Sequence, residues 1–196
     1  MASVPRLMCL VSSRDDLRLV PALVDAGVDA FQVRDKTSTA RELMMLTERV
    51  MAASRVTVVV NDRLDVALAV GADGVHLGDD DLSVASARLV APHLLIGGTC
   101  RSLSAVRRAQ DDGADYAGVG PVFASASKDG LPAPMGVAGL AEVIGALPVL
   151  AIGGISADHA PAVKAVGAHG IAVIGGIWSA RDPIAAAAAL AQAVAG

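Results

Sequence analysis

Four segments of the chain repeat one shape: Gly27-Val-Asp-Ala-Phe-Gln-Val-Arg34, Gly71-Ala-Asp-Gly-Val-His-Leu-Gly78, Gly113-Ala-Asp-Tyr-Ala-Gly-Val-Gly120 and Gly167-Ala-His-Gly-Ile-Ala-Val-Ile-Gly175. Each reads as a glycine that ends a helix, a short turn and a strand. Between them lie four more aliphatic or β-branched runs, at 7–11, 57–60, 94–96 and 149–152, which bring the expected strands to eight. Helical patterns fill the gaps at 15–26, 39–53, 64–70, 83–90, 102–111, 138–146, 158–166 and 183–195. In 39–53 the apolar Leu43, Leu46, Val50 and Met51 fall on one face; 183–195 is mostly alanine, with apolar area only on the side of Leu190 and Val194. Eight alternations at about 20 to 25 residues per unit favour a closed parallel (β/α)8 TIM barrel over an open doubly wound sheet. With 196 residues the chain is short for that barrel, so one TIM-barrel domain over residues 1–196 is expected, with tight connections. The longest irregular stretch is 124–137, which contains Gly130, Pro132, Pro134 and Gly136 and reads as a mobile flap.

The 54% hydrophobic content supports a large core and excludes disorder. Sixteen basic against twenty acidic residues leave a net charge of −4 with no Lys/Arg run, so neither nucleic acid nor a polybasic membrane contact is expected. No apolar run approaches the ~20 residues of a bilayer span, and the start lacks a signal-peptide pattern. Cys9 and Cys100 lack metal-ligand spacing and sit in apolar runs, which points to buried reduced thiols and a cytoplasmic protein. Anions must therefore be bound locally, and small phosphorylated molecules are the expected partners. The sequence sets no oligomeric state.

Barrel enzymes carry their chemistry at the carboxyl ends of the strands. The second strand leads into Gln32, Arg34 and Lys36; Gln32 and Arg34 share a face, opposite Phe31 and Val33. Packing alone does not explain an inward Gln and Arg. The third strand ends in Asn61-Asp62-Arg63, and the fourth runs through His76 and Gly78 into Asp79-Asp80-Asp81. Carboxylates on neighbouring strand ends suit a hard divalent cation, with Mg²⁺ the natural choice; taken alone, the Asp run reads as an exposed turn before a helix capped by Asp81 or Ser83. His76 reads as a hydrogen-bonded core histidine. The fifth strand ends in Gly97-Gly98-Thr99-Cys100-Arg101, and Ser125, Ser127 and Lys128 follow the sixth. Paired glycines, Gly153-Gly154 and Gly175-Gly176, follow the last two strands, where backbone N–H groups can approach a phosphate. A metal-binding anion cluster, cations for a polyanion and a separate phosphate pocket fit departure of pyrophosphate in the presence of a second phosphorylated molecule.

Phe31-Gln-Val-Arg-Asp-Lys36, Val60-Asn-Asp-Arg-Leu-Asp65, Gly71-Ala-Asp-Gly-Val-His-Leu-Gly78, Gly113-Ala-Asp-Tyr-Ala-Gly-Val-Gly-Pro121 and Ala151-Ile-Gly-Gly-Ile155, taken together and in order along nearly the whole chain, resemble the thiamine-phosphate synthase family. The resemblance implies a TIM barrel that joins hydroxymethylpyrimidine diphosphate to thiazole phosphate with Mg²⁺, giving thiamine phosphate and pyrophosphate. It implies pyrophosphate and pyrimidine contacts at Gln32, Arg34, Lys36, Asn61 and Lys128, with Arg34, Lys36 and Lys128 catalytic, and metal ligands at Asp62 and Asp81. It further implies a pyrimidine-side hydroxyl at Thr99, loop hydroxyls at Ser125 and Ser127, and thiazole-phosphate amides at Gly154, Ile174 and Gly175.

Three positions depart from the family pattern: Gly175 stands where Ser is usual, Arg101 where His is usual, and Ser125-Ala-Ser-Lys128 where Thr-x-Thr-Lys is usual. The related thiazole tautomerase branch carries a catalytic His at the Arg101 position and generally lacks acids at the positions of Asp62 and Asp81, so the synthase reading is favoured. A non-catalytic thiazole-phosphate-binding barrel would have no need for Arg34, Lys36, Asp62, Asp81 and Lys128 together.

Overall fold

In the computed structural model, which describes residues 3–125 and 132–195, the apolar runs form eight parallel strands closed in sequence order. They are β1 (Leu7–Val11), β2 (Ala30–Val33), β3 (Thr57–Asn61), β4 (Gly74–Leu77), β5 (Leu95–Cys100), β6 (Tyr116–Val119), β7 (Val149–Ile152) and β8 (Gly170–Val173). β1 pairs with β8 through Met8 and Ala172, which closes the (β/α)8 barrel. The strands are apolar on both faces because both are covered. Outward residues such as Phe31, Val33, Val58 and Val60 pack under the helices, while Met8, Leu10, Val59, Leu95, Tyr116 and Leu150 fill the interior.

The helices are α1 (Val20–Asp25), α2 (Ala40–Ala53), α3 (Leu64–Val70), α4 (Val84–Val90), α5 (Leu103–Asp111), α6 (Gly136–Ala141), α7 (Ala160–Ala165), α8 (Gly175–Trp178) and α9 (Pro183–Val194). Their starts follow capping chemistry. Thr39 and Glu42 form a reciprocal capping box on α2, and the side chains of Ser83, Ser102 and Asp182 accept backbone N–H groups at the starts of α4, α5 and α9. Gly27, Gly71, Gly113 and Gly167 all lie at positive φ, the conformation that turns the chain out of a helix and into the next strand.

Some expected boundaries move. The segment expected to be helical from residue 15 begins as a 3-10 turn, Leu17–Leu19, capped by Asp16. β5 runs on to Cys100, since Gly97 and Thr99 stay in register with Tyr116 and Gly118 of β6. α6 begins at Gly136, whose N–H donates to Val122 O, so Gly136 belongs to a helix start and not to a flap. Of the expected flap, residues 126–131 lie outside the described residues. α8 forms directly after β8, where only a glycine loop was expected; Ile177 is buried beneath it and Trp178 Nε1 donates to Leu10 O at 2.7 Å. Both cysteines are free and buried. Among the described residues, no helix is long and apolar enough to cross a membrane.

The lower end of the barrel is tied by Arg88, whose guanidinium donates to the carbonyls of Gly113, Pro92 and Leu94 and pairs with Asp115 at 2.7 Å. Asp115 in turn accepts the N–H of Ile96. Removing the guanidinium leaves three carbonyls and a part-buried carboxylate short of donors. Arg88→Met is expected to destabilise the fold by about 2–3 kcal/mol, read as a lower urea midpoint with an unchanged slope.

Candidate active site

The strand ends build one cavity of about 800 Å³ at the carboxyl face of the barrel. Alternation along β2 sends Gln32 inward at 4% exposure while Phe31 and Val33 face the helices. The register continues through Arg34, whose backbone N–H donates to Val11 O, and Lys36; all three line the cavity. Asp35 points the other way and accepts from Ser13 and Thr37, holding the loop after β1 to the loop after β2. The Ser13 hydroxyl, with help from Thr37, keeps the Asp35 carboxyl well below the usual range. That clamp fixes the segment carrying Arg34 and Lys36.

Asn61 ends β3, and Asp62 follows at φ 65, with its N–H bonded to His76 O at 2.7 Å. This left-handed turn aims the Asp62 carboxylate across the mouth, where it pairs with Lys36 Nζ at 2.6 Å. Asp81 arrives from the loop after β4 and accepts the N–H of Gly78 at 2.9 Å. A Cβ at Gly78 would lie 2.8 Å from Asp81 Oδ2 and 4.0 Å from Asp62 Oδ1, so the two carboxylates converge over a glycine that leaves the space clear. Burial opposes ionisation of Asp62, but Lys36, Asp81 and Arg34 outweigh it, and its carboxyl lies below the usual value. Burial and the neighbouring Asp62 push Asp81 the other way. Burial also lowers Arg34, against the pull of Asp62.

Thr99 and Arg101 reach the cavity from β5, and Ser125 from the segment after β6. Ser127 and Lys128 lie outside the described residues. At the far side, Gly154, Ile174 and Gly175 form a wall of main chain. Gly154 sits at φ +64, and a Cβ there would meet Ala124 O at 2.3 Å; a Cβ at Gly176 would meet Ile155 O at 2.5 Å. Only glycine lets the loops after β6, β7 and β8 close together there. His159 holds this wall: its Nδ1 donates to Gly154 O at 2.9 Å, and its ring stacks on Phe123 with centroids 4.0 Å apart.

Thus Gln32, Arg34, Lys36, Asn61, Asp62, Asp81, Thr99, Ser125, Gly154, Ile174 and Gly175 share one cavity. The sequence reading passes over Tyr116, Ser156 and Ser179, which also line it; His76, expected as a hydrogen-bonded core histidine, is hydrogen-bonded to Tyr116 and Thr99 and also lines the cavity. Tyr116 could have been found from its inward register two residues before Gly118. Nothing in the sequence singles out the two serines.

A family model described as thiamine monophosphate synthase matches residues 5–177. The chain is 47% identical to a thiamine-phosphate synthase from Anaeromyxobacter dehalogenans over 95% of its own length and 86% of the relative's. It is 41% identical to a thiamine-phosphate synthase from Moorella thermoacetica, covering 94% and 91% of the two chains. Its fold matches the solved thiamine phosphate pyrophosphorylase from Pyrococcus furiosus with a TM-score of 0.87 and 34% identity, over 96% of this chain and 95% of that one.

Proposed function

Because the chain belongs to the thiamine monophosphate synthase family, we propose that its barrel mouth joins 4-amino-2-methyl-5-hydroxymethylpyrimidine diphosphate to 4-methyl-5-(2-phosphooxyethyl)thiazole, releasing thiamine phosphate and pyrophosphate. The observation that carries this reading is the division of one cavity into a charged side, Arg34, Lys36, Asp62 and Asp81, and a main-chain side, Gly154, Ile174 and Gly175. Each side suits one phosphorylated substrate, and the space between them suits the two rings.

In this reading Gln32, Asn61 and Thr99 hold the pyrimidine, with Ser125 at the edge. Arg34 and Lys36 carry positive charge to the diphosphate, which gains charge as the bond between the methylene carbon and its ester oxygen breaks. Ser127 and Lys128 enter from the sequence alone, as further donors to the same group. The electron pair leaves with the pyrophosphate, and the thiazole ring nitrogen closes the C–N bond with a lone pair it already has. No general base is needed for that attack, so bond breaking runs ahead of bond making. Gly154, Ile174 and Gly175 hold the thiazole phosphate by backbone N–H groups; with Gly at 175, no hydroxyl joins them from that position.

The donor set fits Mg²⁺: two carboxylates, hard oxygen ligands, converge over the cleared space at Gly78. Asp62 and Asp81 would hold the ion, and it would supply counter-charge to the leaving pyrophosphate. Lys36, paired with Asp62 in the structure, stands beside the same carboxylate and would add its charge to the diphosphate. Titration of each substrate tests this assignment. Pyrimidine diphosphate is expected to bind tightly with Mg²⁺ and weakly after chelation, while thiazole phosphate alone is indifferent to the ion. Binding of thiazole phosphate alone, with no heat from pyrimidine diphosphate at any Mg²⁺ concentration, would favour a regulatory barrel instead.

A further inference from the structure

Beneath the mouth, three side chains from neighbouring strands form a row. Tyr116 Oη lies 3.2 Å from His76 Nδ1, and His76 Nε2 lies 3.1 Å from Thr99 Oγ1. The Tyr116 and His76 rings stack with centroids 5.5 Å apart. The barrel makes room for the row by giving up side chains around it. A Cβ at Gly97 would fall 2.1 Å from Tyr116 Cζ, and one at Gly118 would fall 2.7 Å from His76 Cε1.

The row has a direction. Tyr116 is 1% exposed, and burial pushes its phenol up, so it keeps its proton. Among the described residues its hydroxyl has one hydrogen-bond partner, His76 Nδ1. If Nδ1 carried a proton, the phenol proton would be buried without an acceptor, which is costly. Nδ1 therefore accepts, and the neutral ring carries its proton on Nε2. Nε2–H then donates to Thr99 Oγ1 and occupies an acceptor site there. The proton of Thr99 itself meets no acceptor among the described residues, and Thr99 lines the cavity.

We infer that Tyr116 and His76 are positioning residues that fix the Thr99 hydroxyl as a hydrogen-bond donor to the ligand, so that the group it meets is a lone-pair acceptor such as an unprotonated ring nitrogen. The inference rests on the proposed function for the name of that ligand, the pyrimidine diphosphate, but the direction of the row does not depend on it. A substrate that presents a lone pair to Thr99 is favoured over one that presents an N–H or C–H, because the Thr99 proton would otherwise be left without an acceptor while one of the two lone pairs on its oxygen is already taken by His76.

The first test is ¹⁵N NMR of the imidazole in the ligand-free, full chain. His76 is expected as the Nε2–H tautomer, and Tyr116→Phe is expected to shift the Nδ1 resonance to that of a nitrogen that no longer accepts a hydrogen bond; a parent protein with the proton on Nδ1, or an Nδ1 resonance unchanged by Tyr116→Phe, overturns the inference. The second test is kinetic. Tyr116→Phe and Thr99→Val are each expected to raise the KM for pyrimidine diphosphate by about tenfold while leaving that for thiazole phosphate unchanged. The double variant should be no worse than either single one, and Thr99→Ser should stay near the parent. Losses that multiply in the double variant, or a shift for both substrates alike, contradict a shared row. An Nε2–H tautomer in a chain that does not take pyrimidine diphosphate supports the donor direction and removes the substrate reading.

Discussion

Asp62→Asn is expected to lower turnover about 100- to 1,000-fold at saturating Mg²⁺, with a melting temperature within about 3 °C of the parent. Asn is the informative replacement because residue 62 lies at φ 65, a conformation that Asn tolerates and Ala resists. The turn, its N–H bond to His76 O and the shape of the side chain are all retained, and only the charge is lost. Asp62 is not core packing, so stability has little to lose. Two roles end with that charge: one of the two carboxylates converging over Gly78, and the partner of Lys36 at 2.6 Å. Because the second loss leaves Lys36 unpaired and the mouth less negative, binding of pyrimidine diphosphate measured without metal should not weaken. Turnover near the parent level, or metal-free binding that falls with turnover, would mean that Asp62 does not serve the metal.

The second large effect is expected at the opposite wall. Gly154→Ala forces a side chain into a left-handed backbone and against Ala124 O at 2.3 Å and Phe123 Cβ at 2.9 Å. Either the loop after β6 or the Gly154 amide must move, and the stacked pair Phe123 and His159 constrains both. The half-saturating concentration of thiazole phosphate should rise by about 10- to 100-fold, since charge-assisted hydrogen bonds from the amides lose their geometry. Pyrimidine diphosphate, held across the cavity by Arg34 and Lys36, should keep its affinity within about twofold. Equal losses for both substrates would place the thiazole phosphate elsewhere.

The features legible in the sequence were those written in a local period. Strand alternation put Gln32 and Arg34 on one face, and the helix-ending glycines at 27, 71, 113 and 167 marked four of the strands, because positive φ is a property of the residue itself. Ser83, expected as a candidate cap, does start α4, because its side chain accepts a backbone N–H within its own turn. What escaped depends on distant parts of the chain. Gly175-Gly-Ile-Trp178 has poor helix propensity, and α8 exists because Ile177 finds the core and Trp178 finds Leu10 O. Asp62 was legible as a strand-end carboxylate, but its pairing with Lys36 was not, since that requires the register of β2 against β3. His76 alternates inward on an apolar strand, which suggests core packing; its partners come from β5 and β6, and no spacing rule joins residues 76, 99 and 116.

The central claim is that this one mouth couples loss of pyrophosphate to capture by the thiazole nitrogen, and the most direct measurement follows both products in one reaction. Purified protein is mixed with pyrimidine diphosphate, thiazole phosphate and Mg²⁺, and pyrophosphate and thiamine phosphate are quantified over time. Stoichiometric, Mg²⁺-dependent appearance of both is the expected result. Pyrophosphate release without thiamine phosphate, or no release with both substrates bound, would contradict the account.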